Sequence, residues 1–247
     1  MKVDRLFKGS TISLIWLWLS LFALLPTLLV LITSFLENDP VHLFRWQFSL
    51  QNYQALLNPV YFKVFLHSFC VAGLCSLICL LLSYPFAYLL ARLDSKYKSL
   101  LLFLVIIPFW TSSLIRTYAI ISILKAKGLL NTVLLTLGII HQPLTILYTS
   151  TAVIIGLVYS LLPFMILPLY ANIEKLDTQF IDAARDLGAN TVTTFTRVIL
   201  PLTLPGIMGG IILVFLPAMS MFYIPDILGG AKSLLVGNLI TGPWVQR

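Results

Sequence analysis

Four stretches of this chain carry no charged side chain: Gly9 to Leu36, Val64 to Ala91, Gly128 to Ile173 and Val198 to Pro225. Each exceeds the ~20 residues that take a helix across the hydrocarbon core of a bilayer. A backbone in lipid must satisfy its own N–H and C=O groups, so helices are the economical solution for all of them. Composition agrees: 59% of residues are hydrophobic and 10% charged, against roughly 45–50% apolar in a soluble domain. The sequence reads as an all-α, polytopic transmembrane helical bundle.

The net charge of +7 comes from 16 basic and 9 acidic residues. Nucleic acid is not the expected partner, because the basic residues are scattered among short connections rather than gathered into a stripe. Lys2, Arg5 and Lys8 precede the first span, Arg92, Lys96 and Lys98 crowd a short link, and Lys175, Arg185 and Arg197 lie together further on. A cytoplasmic N-terminus puts all of them on the cytoplasmic side, as the positive-inside rule asks. The first apolar run is too long for a secretory signal and lacks a small-residue cleavage site, so it reads as an uncleaved helix. Cys70, Cys75 and Cys79 fall inside the second run, where cysteine acts as a small hydrophobe.

The pattern predicts spans over about Ile12–Phe35, Phe65–Leu90, Leu100–Leu124, Leu144–Tyr170 and Pro201–Tyr223. Between the first two lies an outer connection, Leu36–Lys63, punctuated by Pro40, Asn58 and Pro59 and rich in interfacial aromatics: Phe44, Trp46, Phe48 and Tyr53. Pro108 is expected to kink the third span, and Arg116 places a charge inside it. Lys125–Pro143 is expected to be a second outer connection. Pro205, Gly206, Gly209, Gly210 and Pro217 predict that the fifth span is a broken helix. Beyond Pro225 no further charge-free run is long enough to cross, so five spans from a cytoplasmic start put the end of the chain outside.

A polar island, Asn172 to Arg197, separates the last two runs and holds seven of the 25 charges: Glu174, Lys175, Asp177, Asp182, Arg185, Asp186 and Arg197. Asp177 can cap a helix whose Phe180, Ala183, Ala184 and Leu187 share one face. Gly188 follows where a left-handed C-terminal cap needs it. A second helix is expected from Thr191 to Ile199, capped by Asn190, with Val192, Phe195 and Ile199 as its apolar stripe and Pro201 as its end. Both stripes are expected to lie against the ends of the spans while Asp182, Arg185, Asp186 and Arg197 face the cytosol.

Asp182-Ala183-Ala184, three residues, Gly188, nine residues, Val198, one residue, then Leu200-Pro201 resembles the EAA loop of bacterial ABC importer permeases. That loop reads Glu-Ala-Ala, Gly and Ile-x-Leu-Pro at the same spacing; Asp182 and Val198 are conservative departures. The resemblance implies a type I ABC importer permease (MetI-like) fold, here about five spans of an expected six. It implies one transmembrane domain over 1–247 with a cytoplasmic coupling loop over 172–201, in the bacterial inner membrane. It makes Asp182, Ala183, Ala184, Arg185, Gly188, Leu200 and Pro201 the ATPase-coupling residues. No cofactor is then bound by this chain, ATP and Mg being held by a partner ATPase, and the chain itself is not an enzyme.

A wider similarity, over about Leu14 to Asn238, is to the spermidine/putrescine permeases of that family. It rests on Ile-Pro-Phe-Trp-Thr-Ser-Ser-Leu-Ile-Arg-Thr-Tyr at 107–118, Leu-Leu-Pro-Phe-Met-Ile-Leu-Pro-Leu-Tyr at 161–170 and Gly-Gly-Ala-Lys-Ser-Leu-Leu-Val-Gly-Asn at 229–238. It implies inward movement of a polyamine by alternating access, with four kinds of partner: a second homologous permease subunit, a cytoplasmic ATPase dimer, a periplasmic polyamine-binding protein and the lipid bilayer. The similarity fades in the closing residues, where the family's sixth helix is expected and is absent; a frameshift, a truncated gene or a fragment each accounts for this. An importer of an inorganic anion, iron or an amino acid would carry the same loop. An ion-gradient-driven secondary transporter would share the spans but not the loop.

Two residues suit a cationic solute: Asp226 by its charge and Trp110 by its cation–π face. Arg116 would repel a polyamine and reads as structural. Gly229–Ser233 superficially resembles a phosphate loop, but Ala231 stands where glycine is required. His42, His67 and His141 are too scattered to hold a metal.

Overall fold

The computed structural model describes residues 2–37, 45–230 and 235–241. Pro40, His42, Phe44 and Ala231–Ser233 therefore lie outside the described residues. The chain separates into two compact units, Met1–Lys63 and Val64–Arg247.

The first unit contains helices α1 (Lys2–Leu19) and α2 (Leu25–Ser34), joined without a break by a π-helical turn at Ser20–Leu24. Pro26 sits at the start of α2, where the missing N–H is absorbed by the widened turn before it. The apolar run then ends in a small lock. Strands β1 (Leu36–Glu37) and β2 (Arg45–Phe48) pair antiparallel. Phe35 stacks on Phe48 at 5.8 Å and meets Tyr53, on the short helix α3 (Gln51–Leu56), at 5.1 Å. Asn52 donates to the carbonyls of Ser34 and Leu36, both at 3.1 Å. The described part of this connection thus has more order than its mixed composition suggests, and Phe48 and Tyr53 cluster with Phe35 at the end of the span.

The second unit is helical. Its elements are α4 (Pro59–Arg92, which starts just before the boundary), α5 (Ser95–Ile106), α6 (Ser113–Leu124), α7 (Leu129–Thr136), α8 (Ser150–Ile173), α9 (Thr178–Asp186), α10 (Thr191–Thr194), α11 (Leu200–Ser220) and α12 (Val236–Thr241). Helix α8 is the axis: Leu157, Leu161, Met165 and Leu169, spaced four apart on one face, are at most 1% exposed. Helix α11 packs along it because glycine lets the backbones approach. A β-carbon at Gly206 would come within 2.6 Å of Asn172, and one at Gly210 within 2.5 Å of the Met165 sulfur. From α4, Cys75 and Cys79 are fully buried in this core.

Among the described residues, five helical stretches are long and apolar enough to cross a membrane: Thr11–Ser34, Pro59–Arg92, Ser113–Thr136 (α6 and α7 taken together), Ser150–Ile173 and Thr191–Ser220. The third expected span, Leu100–Leu124, is not one helix. Pro108 cannot donate to residue 104 and its ring crowds that carbonyl, so α5 gives way to a 3-10 turn at Ile107–Trp110 and an extended step at Thr111 before α6 begins. The outer connection expected over 125–143 contains α7. The fifth span is also corrected, for α11 is unbroken through Pro205 and reaches Ser220. Its glycines serve close packing against α8 rather than a break.

Candidate functional site: the exposed helical hairpin of residues 174–201

The island is a hairpin whose corners are built from local chemistry. Asp177 caps α9, its carboxylate accepting from the Gln179 amide at 3.0 Å. At the other end Gly188 adopts φ 81°. Its amide donates to the Arg185 carbonyl at 2.8 Å, and Ala189 donates to Ala184 at 3.0 Å, the paired bonds of a Schellman cap. Asn190 then caps the next helix by accepting from Thr193 at 2.8 Å.

That helix does not stop at Pro201, contrary to the expectation from sequence. A π turn at Phe195–Ile199 follows α10, and the Leu200 amide reaches back five residues to Phe195. The register shift comes one residue ahead of the proline, so the turn is already widened where its ring must fit. Helix runs from Thr191 to Ser220 as a result, and the hairpin is joined directly to the packed core of α11.

The apolar face of α9 also points otherwise than expected. Ile181 is the residue buried inward, while Phe180 is 56% and Leu187 88% exposed. Ala183 is exposed with them and Ala184 is half-buried. Asp182 and Arg185 stand on the open surface, their charges 3.9 Å apart, too exposed to contribute much to stability. On the second arm Val192 is exposed, whereas Phe195 and Ile199 pack inward. The Phe195 ring meets Tyr84 edge-on at 5.5 Å, and the Tyr84 hydroxyl lies 3.0 Å from that of Thr203.

The seven expected coupling residues therefore divide. Asp182, Ala183, Arg185 and Gly188 share an exposed surface, and Ala184 lines its edge. Leu200 faces a crevice of about 470 Å³ with Tyr84, Phe195 and Ile207, and Pro201 is exposed at the start of α11. A second bond ties the hairpin to the bundle: the Lys98 ammonium on α5 contacts the Glu174 carboxylate at 3.0 Å. Hydrogen bonds from the Tyr170 hydroxyl first and Lys98 second hold the Glu174 carboxyl below its ordinary range.

Trp110 and Asp226 are not brought together by any hydrogen bond or ring contact among the described residues. Trp110 is 75% exposed and meets Phe103 edge-on at 5.8 Å. Asp226 lies on a π turn, Pro225–Gly229, where Asn238 donates to its carboxylate.

Two residues that sequence reading passed over organise the end of the bundle remote from the hairpin. Asn131, 1% exposed, donates to the carbonyls of Lys125 at 3.3 Å and Leu144 at 2.9 Å and accepts from Leu144 at 2.8 Å. Asn238, 4% exposed, joins Asp226, the Phe222 carbonyl at 3.0 Å and the Leu235 amide at 3.1 Å. The signal available for both was a lone amide flanked by apolar residues, which is costly to bury unless every polar atom is paired.

A polytopic helical bundle that exposes a capped, partly apolar hairpin, with one arm continuous with a core helix, has the build of a transporter's membrane subunit. The chain belongs to the binding-protein-dependent transport system inner membrane components, whose family profile matches residues 83–243. It is 54% identical over 238 residues to the spermidine/putrescine transport system permease protein PotB of Haemophilus influenzae, covering 96% of this chain and 83% of that one. Against PotB of Escherichia coli the identity is 55% over 223 residues, 90% of this chain and 81% of the other. The fold matches a chain from the crystal structure of a bacterial ABC transporter that imports the acidic polysaccharide alginate, with a TM-score of 0.74 at 18% identity over 99% of this chain and 86% of that one.

Proposed function

We propose that this chain is a permease subunit of an ATP-driven importer that carries spermidine and putrescine across the inner membrane by alternating access. Identity of 53–55% to PotB permeases over nearly the whole chain supports the substrate. The exposed α9–Gly188–α10 hairpin is the observation that carries the mechanism. It faces the cytosol, as does the N-terminus, and residues 1–247 act as one permease domain.

In this reading Phe180, Ala183 and Leu187 enter a cleft of one copy in a cytoplasmic ATPase dimer, flanked by Asp182 and Arg185 as charge-assisted hydrogen-bond partners. Closure of the ATPase pair pushes α9. The Schellman cap and the uninterrupted helix from Thr191 carry that displacement into α11, and thence to α8 through the glycine contacts. ATP and Mg stay on the ATPase. A second, homologous permease supplies the other half of the pathway, and a periplasmic binding protein delivers the polyamine to the far side. Asp226 and Trp110 contribute a carboxylate and an aromatic face to the polyamine's route.

The test is ATP hydrolysis by the complex reconstituted in nanodiscs. Binding protein loaded with spermidine should stimulate it, and binding protein alone or with an amino acid should not. Equal stimulation by an inorganic anion or an amino acid would overturn the substrate assignment.

A further inference from the structure

The Nε atom of Arg116 is buried and has no hydrogen-bond partner among the described residues. The side chain borders a cavity of about 230 Å³ whose other walls are Ala119, Ile120, Ile123, Leu124, Ile155 and Tyr159. The lining side chains are apolar apart from Arg116, a donor only, and Tyr159, whose hydroxyl can also donate. Tyr159 is 47% exposed, so the cavity opens away from this chain.

Its depth follows from helix geometry. Arg116 lies eight residues before the end of α6 and Tyr159 nine after the start of α8, which at ~1.5 Å per residue places both about 12–14 Å below the same end of the bundle. In a hydrocarbon core of ~30 Å that is close to the midplane, beyond the level of lipid phosphates. An unpaired guanidinium charge at that depth is strongly disfavoured. Among the described residues of the elements that pack most against α6, namely α7, α8 and the Pro225–Gly229 turn, Asp226 is the one acid, and Asn238 already engages its carboxylate.

We infer that Arg116, with Tyr159 beside it, is the cationic half of an intramembrane ion pair whose carboxylate is an Asp or Glu on a neighbouring transmembrane chain. The inference rests on the heteromeric reading above. A guanidinium offers two parallel N–H donors to a carboxylate, and Tyr159 offers a third. Arg116 is thus an assembly contact rather than a group that meets the solute, which explains an arginine in a subunit proposed to pass a polycation.

Dicyclohexylcarbodiimide, which enters lipid and reacts with protonated carboxyl groups, tests this on the purified complex. Removing the arginine leaves the partner acid desolvated and unpaired, which raises its pKa by up to ~3–5 units. At neutral pH, Arg116→Gln should then increase labelling of one transmembrane Asp or Glu of the neighbouring chain at least ~10-fold, with Arg116→Lys close to wild type. An intact Arg116→Gln complex with no new adduct on that chain, or with its new adduct on Asp226, overturns the proposal.

If Arg116→Gln fails to assemble, a benzoylphenylalanine at position 123 in the otherwise unaltered chain should cross-link to a peptide of the neighbouring chain that contains an acid. Cross-links only to lipid, or only to peptides without one, overturn it equally. Polyamine-stimulated ATP hydrolysis by the same preparation separates the two readings. A stimulated complex without the adduct refutes the ion pair alone, whereas a preparation with no second transmembrane chain refutes both.

Discussion

Leu187 is the sharpest probe of the hairpin as a docking surface. It is 88% exposed, so Leu187→Ala removes little packing within the chain, and its place before the left-handed Gly188 suits alanine equally well. If the side chain enters an ATPase cleft, truncation deletes about three buried carbon groups at ~0.8 kcal/mol each, or roughly 2 kcal/mol of docking energy. That corresponds to a ~30-fold weaker affinity. Biolayer interferometry of the permease pair in nanodiscs against the nucleotide-free ATPase measures it directly. Ile181→Ala is the control, because that residue is 5% exposed and its loss should lower thermal stability instead. An affinity for Leu187→Ala within about threefold of wild type, with insertion unchanged, would refute the assignment of this face to the partner.

Asp182→Lys should leave the bundle's unfolding temperature unchanged, since its ion pair with Arg185 is exposed, yet abolish stimulated ATP hydrolysis; normal stimulation would remove the charge from the interface. Gly188→Val forces a β-branched residue to φ 81°, at a cost of about 1–2 kcal/mol, and should uncouple hydrolysis from uptake; unchanged coupling would mean that the elbow tolerates another shape. Because the folded-state pKa of Glu174 is lowered, its contribution is fully present above the ordinary carboxylate range and fades as pH falls through the lowered value. Thermal unfolding of wild type and Glu174→Gln should therefore converge in acid and separate modestly toward neutral pH; parallel curves would show that the bonds from Tyr170 and Lys98 contribute nothing. Asn131→Val leaves the Leu144 amide and carbonyl without their partner, at a cost of ~1–3 kcal/mol, and should lower the unfolding temperature; no change would mean that water replaces the side chain.

What the sequence disclosed was whatever depends on neighbours along the chain. Asp177, Gly188 and Asn190 were legible as caps because each bonds within five residues of itself. The long charge-free runs were legible as the helices α4, α8 and α11 for the same reason, whereas the expected third span, Leu100–Leu124, is divided between α5 and α6. The inward face of α9 was not legible: Phe180, Ala183 and Leu187 look like core to any reading that leaves no apolar stripe exposed, and only tertiary packing reveals Ile181 as the buried one.

Pro201 and Pro205 look like breakers in sequence, but a π turn precedes Pro201 and α11 continues through Pro205. Pro108 predicts a kink, and the structure has a break there. There α5 gives way to a 3-10 turn, whereas α8 continues through Pro163 and Pro168, so the proline alone does not set the break. Arg116 stood out at once as a charge in an apolar run, but its surroundings required α6 and α8 to be placed side by side.

The central claim is that cytoplasmic ATP hydrolysis, passed through this hairpin, drives polyamine inward. Uptake of radiolabelled spermidine into proteoliposomes holding the whole complex tests it most directly, with the binding protein outside and either ATP inside or a proton gradient as the sole energy source. Uptake with internal ATP, absent with the gradient alone and lost in Asp182→Lys, is the predicted result. Uptake that persists on the gradient without ATP would contradict the account.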